Sequence, residues 1–146
     1  MRFLILTFAL MCTLPARAAY DPTDPRPDML ILKFEIENGR AGDVITPLKD
    51  WLVTEPKDAD ALNLLGYAFR KLKRYTEARE FYDRALAVDP AHKGALEYLG
   101  ELELETGHPD AARALLIRLQ AVCPDGCHEL EDLLEAFSTH GVSVLD

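Results

Sequence analysis

The sequence predicts an all-α chain, an α-solenoid of about three helix pairs closed by a single capping helix. Three observations carry this. Pro56, Pro90 and Pro124 stand 34 residues apart. Apolar residues recur with a period near 3.6 from Asp28 to about residue 140. Each segment that one of these prolines closes is interrupted once, at Asn38-Gly39, Lys73-Arg74 or Gly107. A unit of this length cannot bury its own apolar face, so such units stack on their neighbours into a solenoid.

Residues 1–18 stand outside the periodic pattern. Met1-Arg2 is a short positive start, Phe3 to Leu14 is almost unbroken apolar sequence, and Ala16-Arg17-Ala18 fits a small-x-small cleavage site. That is the pattern of a secretory signal peptide cut after Ala18. An apolar run of about a dozen residues is too short to span a bilayer comfortably, which argues against a retained anchor. Cys12 raises lipidation as another reading, but Met11 stands before it where lipoprotein signals carry a small residue. Residues 19–27, with three prolines, form an extended leader.

The helices follow in order. Met29, Leu30, Lys33, Phe34 and Glu37 keep a helical period until Asn38-Gly39 supplies a glycine stop. Gly42-Asp43 opens a second helix with Val44, Ile45, Leu48, Trp51 and Leu52 on one stripe and Pro47 tolerated in its first turn. Asp58 or Asp60 caps a third, carrying Leu62, Leu65, Gly66 and Phe69. The fourth spans Tyr75 to Val88 with Ala78, Phe81, Tyr82, Ala85 and Leu86 inward. The next pair runs from about Ala91 to Thr106 and from Pro109 to Val122. A capping helix, about His128 to Ser138 within residues 127–140, buries Leu130, Leu133, Leu134 and Phe137, and 141–146 is a tail.

Charge narrows the partners. Without residues 1–18 the chain keeps 14 basic against 25 acidic residues, a net charge near −11. Such a chain repels phosphate backbones and anionic headgroups, so neither nucleic acid nor a membrane surface is an expected partner. No Gly-rich phosphate loop, nucleophile elbow or zinc-helix motif is present, so neither cofactor nor catalytic or metal site is assigned and the chain is read as a non-enzyme.

Residues 59–92 resemble the tetratricopeptide repeat at nearly every signature position. The large residue, the Leu-Gly pair and the aromatic of its first helix fall on Leu62, Leu65-Gly66 and Phe69. The small, aromatic, small and proline positions of its second helix fall on Ala78, Tyr82, Ala85 and Pro90. Residues 93–126 match at Leu96, Leu99-Gly100, Ala112 and Pro124 but depart at Glu103, usually aromatic, and Leu119, usually small, which implies looser or differently angled packing there. About residues 25–58 form a weaker unit that matches at Leu48 and Pro56, with Leu32, Val44 and Trp51 where small residues are usual.

The resemblance implies a right-handed solenoid over 28–126 whose first helices line a concave binding face. Carried over by position, that face comprises Lys33 and Glu37, then Asn63, Tyr67, Arg70 and Lys71, then Glu97, Glu101 and Glu105. A basic stretch of an extended peptide would lie on the glutamates, with its carboxylates reaching Lys33 or Arg70. Tyr67 is expected to be an exposed aromatic anchor. Of the family's carboxylate clamp only Asn63 and Arg70 find echoes, so that clamp is not assigned.

Cys123 and Cys127 flank a Pro-Asp-Gly turn and, in an exported chain, are expected to form a disulfide that staples the cap to the last unit. A redox pair, or a metal-handling element with His128, is the alternative reading. Together these features predict a periplasmic or secreted scaffold that holds a peptide or protein partner of the cell envelope. Self-association through Phe34 and Trp51 is a further possibility.

Overall fold

The computed structural model describes residues 26–145; the signal peptide and residues 19–25 of the leader lie outside them. Seven helices follow: α1 (Met29–Glu37), α2 (Ile45–Thr54), α3 (Ala59–Lys71), α4 (Tyr75–Val88), α5 (Lys93–Glu105), α6 (Pro109–Val122) and α7 (His128–Thr139). There is no strand among the described residues, and no described helix is long and apolar enough to cross a membrane. The architecture is the all-α solenoid that the 34-residue spacing predicts.

Local chemistry sets the boundaries. The Asp28 carboxylate caps α1, accepting from the backbone N–H of Leu30 and Ile31 at 3.0 and 3.2 Å. Gly39, at φ +82°, takes the left-handed turn that ends that helix. Helix α2 begins at Ile45, after a turn through residues 41–44, rather than at Gly42-Asp43 as the pattern suggested. Of the two candidate caps for α3, Asp58 is the one used, accepting from Ala61 N–H at 3.1 Å. Its carboxylate also takes the indole N–H of Trp51 at 2.9 Å and the guanidinium of Arg26 at 3.2 Å, tying α2 and the chain before α1 to the start of α3. Helix α5 starts at Lys93 because His92 is its cap, with Nδ1 accepting from Ala95 N–H at 3.0 Å.

Helices α3 and α4 pack as one antiparallel pair and α5 and α6 as the next, with α4 and α3 both touching α5. Helix α7 closes the stack against α5 and α6. Leu62, Leu65, Phe69, Tyr82, Leu96, Leu102, Leu119, Leu133 and Phe137 form the fully buried centre. The first unit differs from the expected helix pair. Helices α1 and α2 each lean on α3 and make no close backbone approach to one another. Leu32, Val44 and Trp51 occupy the places where Gly66, Ala78 and Ala85 let α3 and α4 meet, and their bulk keeps α1 and α2 apart. Trp51 is half-buried against the core, whereas Phe34 is 58 % exposed beside Leu30 and Ile31.

The two departures in the third unit do not loosen it. Leu119 is fully buried, and Glu103 lies buried in a fork with Arg79 of α4, Nη2 donating to Oε2 at 2.9 Å, with His108 Nδ1 3.2 Å away. An ion pair thus fills the place that Phe69 fills in the preceding unit. Leu134, expected inward on α7, is partly exposed. Cys123 and Cys127 are bridged with Cα atoms 5.8 Å apart, across a turn in which Gly126 has φ +89°.

Two predictions follow from this packing. A Cβ on Gly66 would stand 2.7 Å from two carbons of the Tyr82 ring and 3.2 Å from the Ala78 carbonyl oxygen, none of which can move freely. Overpacking of this kind costs about 1–3 kcal/mol, against a gain in helix propensity of about 1 kcal/mol. On Gly100 the same Cβ meets only the methyl ends of Leu133, at 2.7 and 2.9 Å. Urea unfolding is expected to show Gly66→Ala destabilised by about 1–2 kcal/mol and Gly100→Ala changed by less than about 0.5 kcal/mol; the reverse order would contradict the packing described.

The second concerns Asp58. Burial works against its ionisation, but the bonds from Trp51 and Ala61 and the charge of Arg26 hold its carboxyl below the usual aspartate value. Its contribution is therefore complete above the ordinary aspartate pKa of about 4 and is lost as pH falls through its lower folded value. Asp58→Ala is expected to cost about 1–2 kcal/mol at pH 7, to red-shift the emission of the single tryptophan, and to flatten stability between pH 5 and the acid transition. Unchanged stability and emission would show that the cap carries nothing.

Candidate functional site: the groove across helices 1, 3, 5 and 7

Every residue assigned to the concave face from sequence lies on α1, α3 or α5, the first helices of the three units. The structure does not, however, present all of them to solvent. Tyr67 is only 9 % exposed, so the expectation of an exposed aromatic anchor is corrected. Its ring stacks on Tyr98 of α5, centroids 4.6 Å apart and planes 15° off parallel. A flat aromatic pair spanning two repeats removes more apolar area from water than either ring could alone. Together they floor the groove.

Around this floor the charges divide. Lys33 and Arg70 lie over Tyr98, each 5.9 Å from its centroid, and Lys71 lies 5.8 Å over Tyr67. Lys33 Nζ is also 3.9 Å from Glu37 on its own helix. Arg70 does not stand ready for a partner's carboxylate, as the sequence suggested. Its guanidinium is largely buried and reaches across to α5, pairing with Glu101 and, at 2.9 Å, with Glu105. Burial works against its charge, but Glu101, Tyr82 and Glu105 together raise its pKa above the ordinary arginine value. Glu101 and Glu105 are accordingly neutralised in part by the protein's own cation.

Asn63 and Glu97 occupy equivalent positions on α3 and α5, and both are buried, at 6 and 5 % exposure. The Asn63 Oδ1 has no hydrogen-bond donor. Burial pushes the Glu97 carboxyl up to about 8, helped by the negative charges of Glu101, Asp132 and Glu129, with Lys33 opposing. Burial raises Glu101 too, against the pull of Arg70. It also pushes the Tyr67 phenol up to about 12, and the Tyr98 phenol higher still beside Glu97 and Glu101. Both rings therefore stay neutral at any physiological pH.

Helix α7 extends the groove beyond what was assigned from sequence. A cavity of about 260 Å³ opens between α3, α5 and α7, lined by Arg70, Glu101, Glu105, Asp132, Glu135 and His140 among others. Asp132 and Glu135 lie 34 residues after Tyr98 and Glu101, so the repeat frame continued into the capping helix would have found them. Tyr98 escaped because its helical position faces the neighbouring unit only once α3 is in place. No group of three or more His, Cys, Asp or Glu side chains among the described residues is arranged to hold a metal ion. The assembly offers a stacked aromatic floor, a basic edge on α1 and α3, and an acidic wall on α5 and α7: a surface suited to holding a chain.

Comparison with known proteins agrees with the geometry. Residues 59–92 match one family model described as tetratricopeptide repeat, and residues 82–126 match a second with the same description. No curated protein matches the chain. Among solved structures, the crystal structure of MamA superposes with a TM-score of 0.65 at 22 % identity, covering 84 % of this chain and 71 % of that one. The NMR structure of the first TPR domain of the human RPAP3 protein superposes with a TM-score of 0.63 at 15 % identity, covering 77 % of this chain and 91 % of that domain. At these identities the two structures share a fold with this chain. With one repeat complete in all its signature positions, a second in register behind it and both matched by family models, the chain belongs to the tetratricopeptide-repeat family.

Proposed function

We propose that this protein is a non-catalytic scaffold of the periplasm, holding a peptide or protein partner of the cell envelope in the groove across α1, α3, α5 and α7. The observation that carries the reading is the groove itself. It joins an aromatic floor to an acidic wall, and its side chains form no nucleophile–base pair such as acyl or phosphoryl transfer would need. Repeat solenoids use such concave faces to bind extended or folded partners. The N-terminal signal pattern and the Cys123–Cys127 bridge both favour an oxidising compartment outside the cytoplasm. The bridge supports a stapling role rather than thiol exchange, since Cys123 is buried and an attacking thiolate would have to reach it there.

Two measurements test this. Mass spectrometry of the exported protein is expected to find Ala19 as its first residue; a chain retaining residues 1–18 would remove the periplasmic assignment. Affinity capture from an envelope extract would use the mature protein, the groove variant Asp132→Lys/Glu135→Lys, and Glu80→Lys on the exposed side of α4 as a charge control. A protein retained by the parent and the control, and reduced at least about tenfold by the groove variant, supports the scaffold. Equal retention by all three would place binding elsewhere on the molecule.

A further inference from the structure

Glu97 is an anomaly within the groove. A carboxylate buried to this degree is ordinarily paired or hydrogen-bonded, because burying it alone costs several kcal/mol. Glu97 makes no hydrogen bond or ion pair with any described residue. The other acidic groups facing it worsen its position: Glu101 one turn along α5, and Glu129 and Asp132 on α7. The cations of the fold are committed elsewhere. Arg70 of α3 is bound to Glu101 and Glu105, Arg79 of α4 to Glu103, Arg113 of α6 to Asp110 and the Ser143 carbonyl, and Arg118 to the Pro90 carbonyl. Lys33 of α1 is the one cation whose charge reaches Glu97, and its ammonium lies beside Glu37 and over Tyr98.

A second, independent group points the same way. The Asn63 amide lies against Gly94, one turn before Glu97 on α5, where a Cβ would stand 3.0 Å from Asn63 Nδ2. Its Oδ1 is buried and lacks a donor. Two helices thus bring an unpaired carboxylate and an unpaired carbonyl oxygen to adjacent turns of the same face. Both are acceptors, and what both lack is a donor bearing positive charge.

We infer that the groove contains a subsite for a basic side chain, a lysine or arginine of the bound partner segment, whose cationic head enters between α3, α5 and α7 and is held by Glu97, with Asn63 and Asp132 beside it. This rests on the scaffold reading and specifies its partner: an extended segment with a positive side chain placed over the Tyr67–Tyr98 floor. The cavity of about 260 Å³ has room for the head group, and the aromatic floor suits the alkyl stem.

The inference fixes a pH dependence. In the free protein Glu97 is largely protonated at neutral pH, its carboxyl lying at about 8. A cation binds the ionised form, so binding expels a proton below pH 8, and affinity falls by up to about tenfold for each unit below it. Lysine stays charged throughout that range. The sign is therefore tighter binding as pH rises from 6 to 8, levelling above.

Isothermal titration calorimetry on the mature protein tests this with three synthetic peptides of the form Gly-Ser-X-Ser-Gly, terminally blocked, where X is lysine, acetyl-lysine or glutamate. Only the lysine peptide is expected to bind, at least about tenfold more tightly at pH 8.5 than at 6.5, releasing close to one proton at pH 7 as read from buffers of different ionisation enthalpy. Glu97→Gln is expected to abolish both the proton release and the pH dependence, and to weaken binding about tenfold or more at pH 8.5. Glu80→Gln, which removes the same charge from α4, is expected to change neither. Equal binding of lysine and acetyl-lysine peptides would overturn the basic subsite while leaving a peptide-binding groove. Unchanged proton release in Glu97→Gln would place the cation on another carboxylate. Binding of none of the three would likewise overturn the inference, and whether the scaffold reading survives is then read separately from capture with the Asp132→Lys/Glu135→Lys variant.

Discussion

Helix α3 is enclosed on every side: the nine residues from Ala61 to Phe69 are all buried, and the positions of the other helices follow from what each of its faces requires. A helix hidden all round cannot be amphipathic in the ordinary sense, and it must be covered by several partners at once. One face, opened by Gly66, takes the Tyr82 ring of α4. Another takes α5 through the Tyr67–Tyr98 stack, and the remaining flank takes α1 and α2 separately. Helix α5 repeats the arrangement one unit on, buried from Ala95 to Gly100, with Leu133 of α7 at Gly100. The groove is the outer edge of these two enclosed helices, which is why its polar members Asn63 and Glu97 are themselves hidden.

Much of this was legible in the sequence. The prolines at 34-residue intervals gave the register, and the limits of α4 and α6 are the residues their apolar stripes and Pro109 indicate. What could not be read were relations between units. Tyr67 looked exposed because its own helix offers no cover; the cover is Tyr98, supplied by the next repeat. Arg70 looked available because its partners, Glu101 and Glu105, stand more than thirty residues away. Helical periodicity tells which face a residue occupies, and says nothing of which side chain from another unit will meet it.

The same limit explains the third unit and the cap. At Glu103 the repeat pattern lacks its aromatic, and sequence alone suggested a defect. Arg79, from the second helix of the preceding unit, supplies the missing volume and the compensating charge together. A buried pair of this kind adds little net stability over a well-packed apolar group, yet it penalises any arrangement that separates its members. It ties α4 to α5 in one register. At the other end, α7 was read as a lid, whereas it behaves as the first helix of a further unit: Phe137 stands 34 residues after Glu103, and Glu135 the same distance after Glu101. The cap both closes the core and adds a wall to the groove.

The separate seating of α1 and α2 on α3 bears on the order in which the chain acquires structure. In the two later units the helices of a pair bury one another, so each pair has reason to form locally. The first two helices have no such bargain: the surface each hides is hidden by α3. Forming them early gains little, since a helix of nine or ten residues is marginal alone in water. The ribosome delivers them first and the translocation channel would release them first, yet they have nothing to pack on until residues 59–88 have followed. Structure in this chain is thereby obliged to spread from the middle outward, against the direction in which it is made.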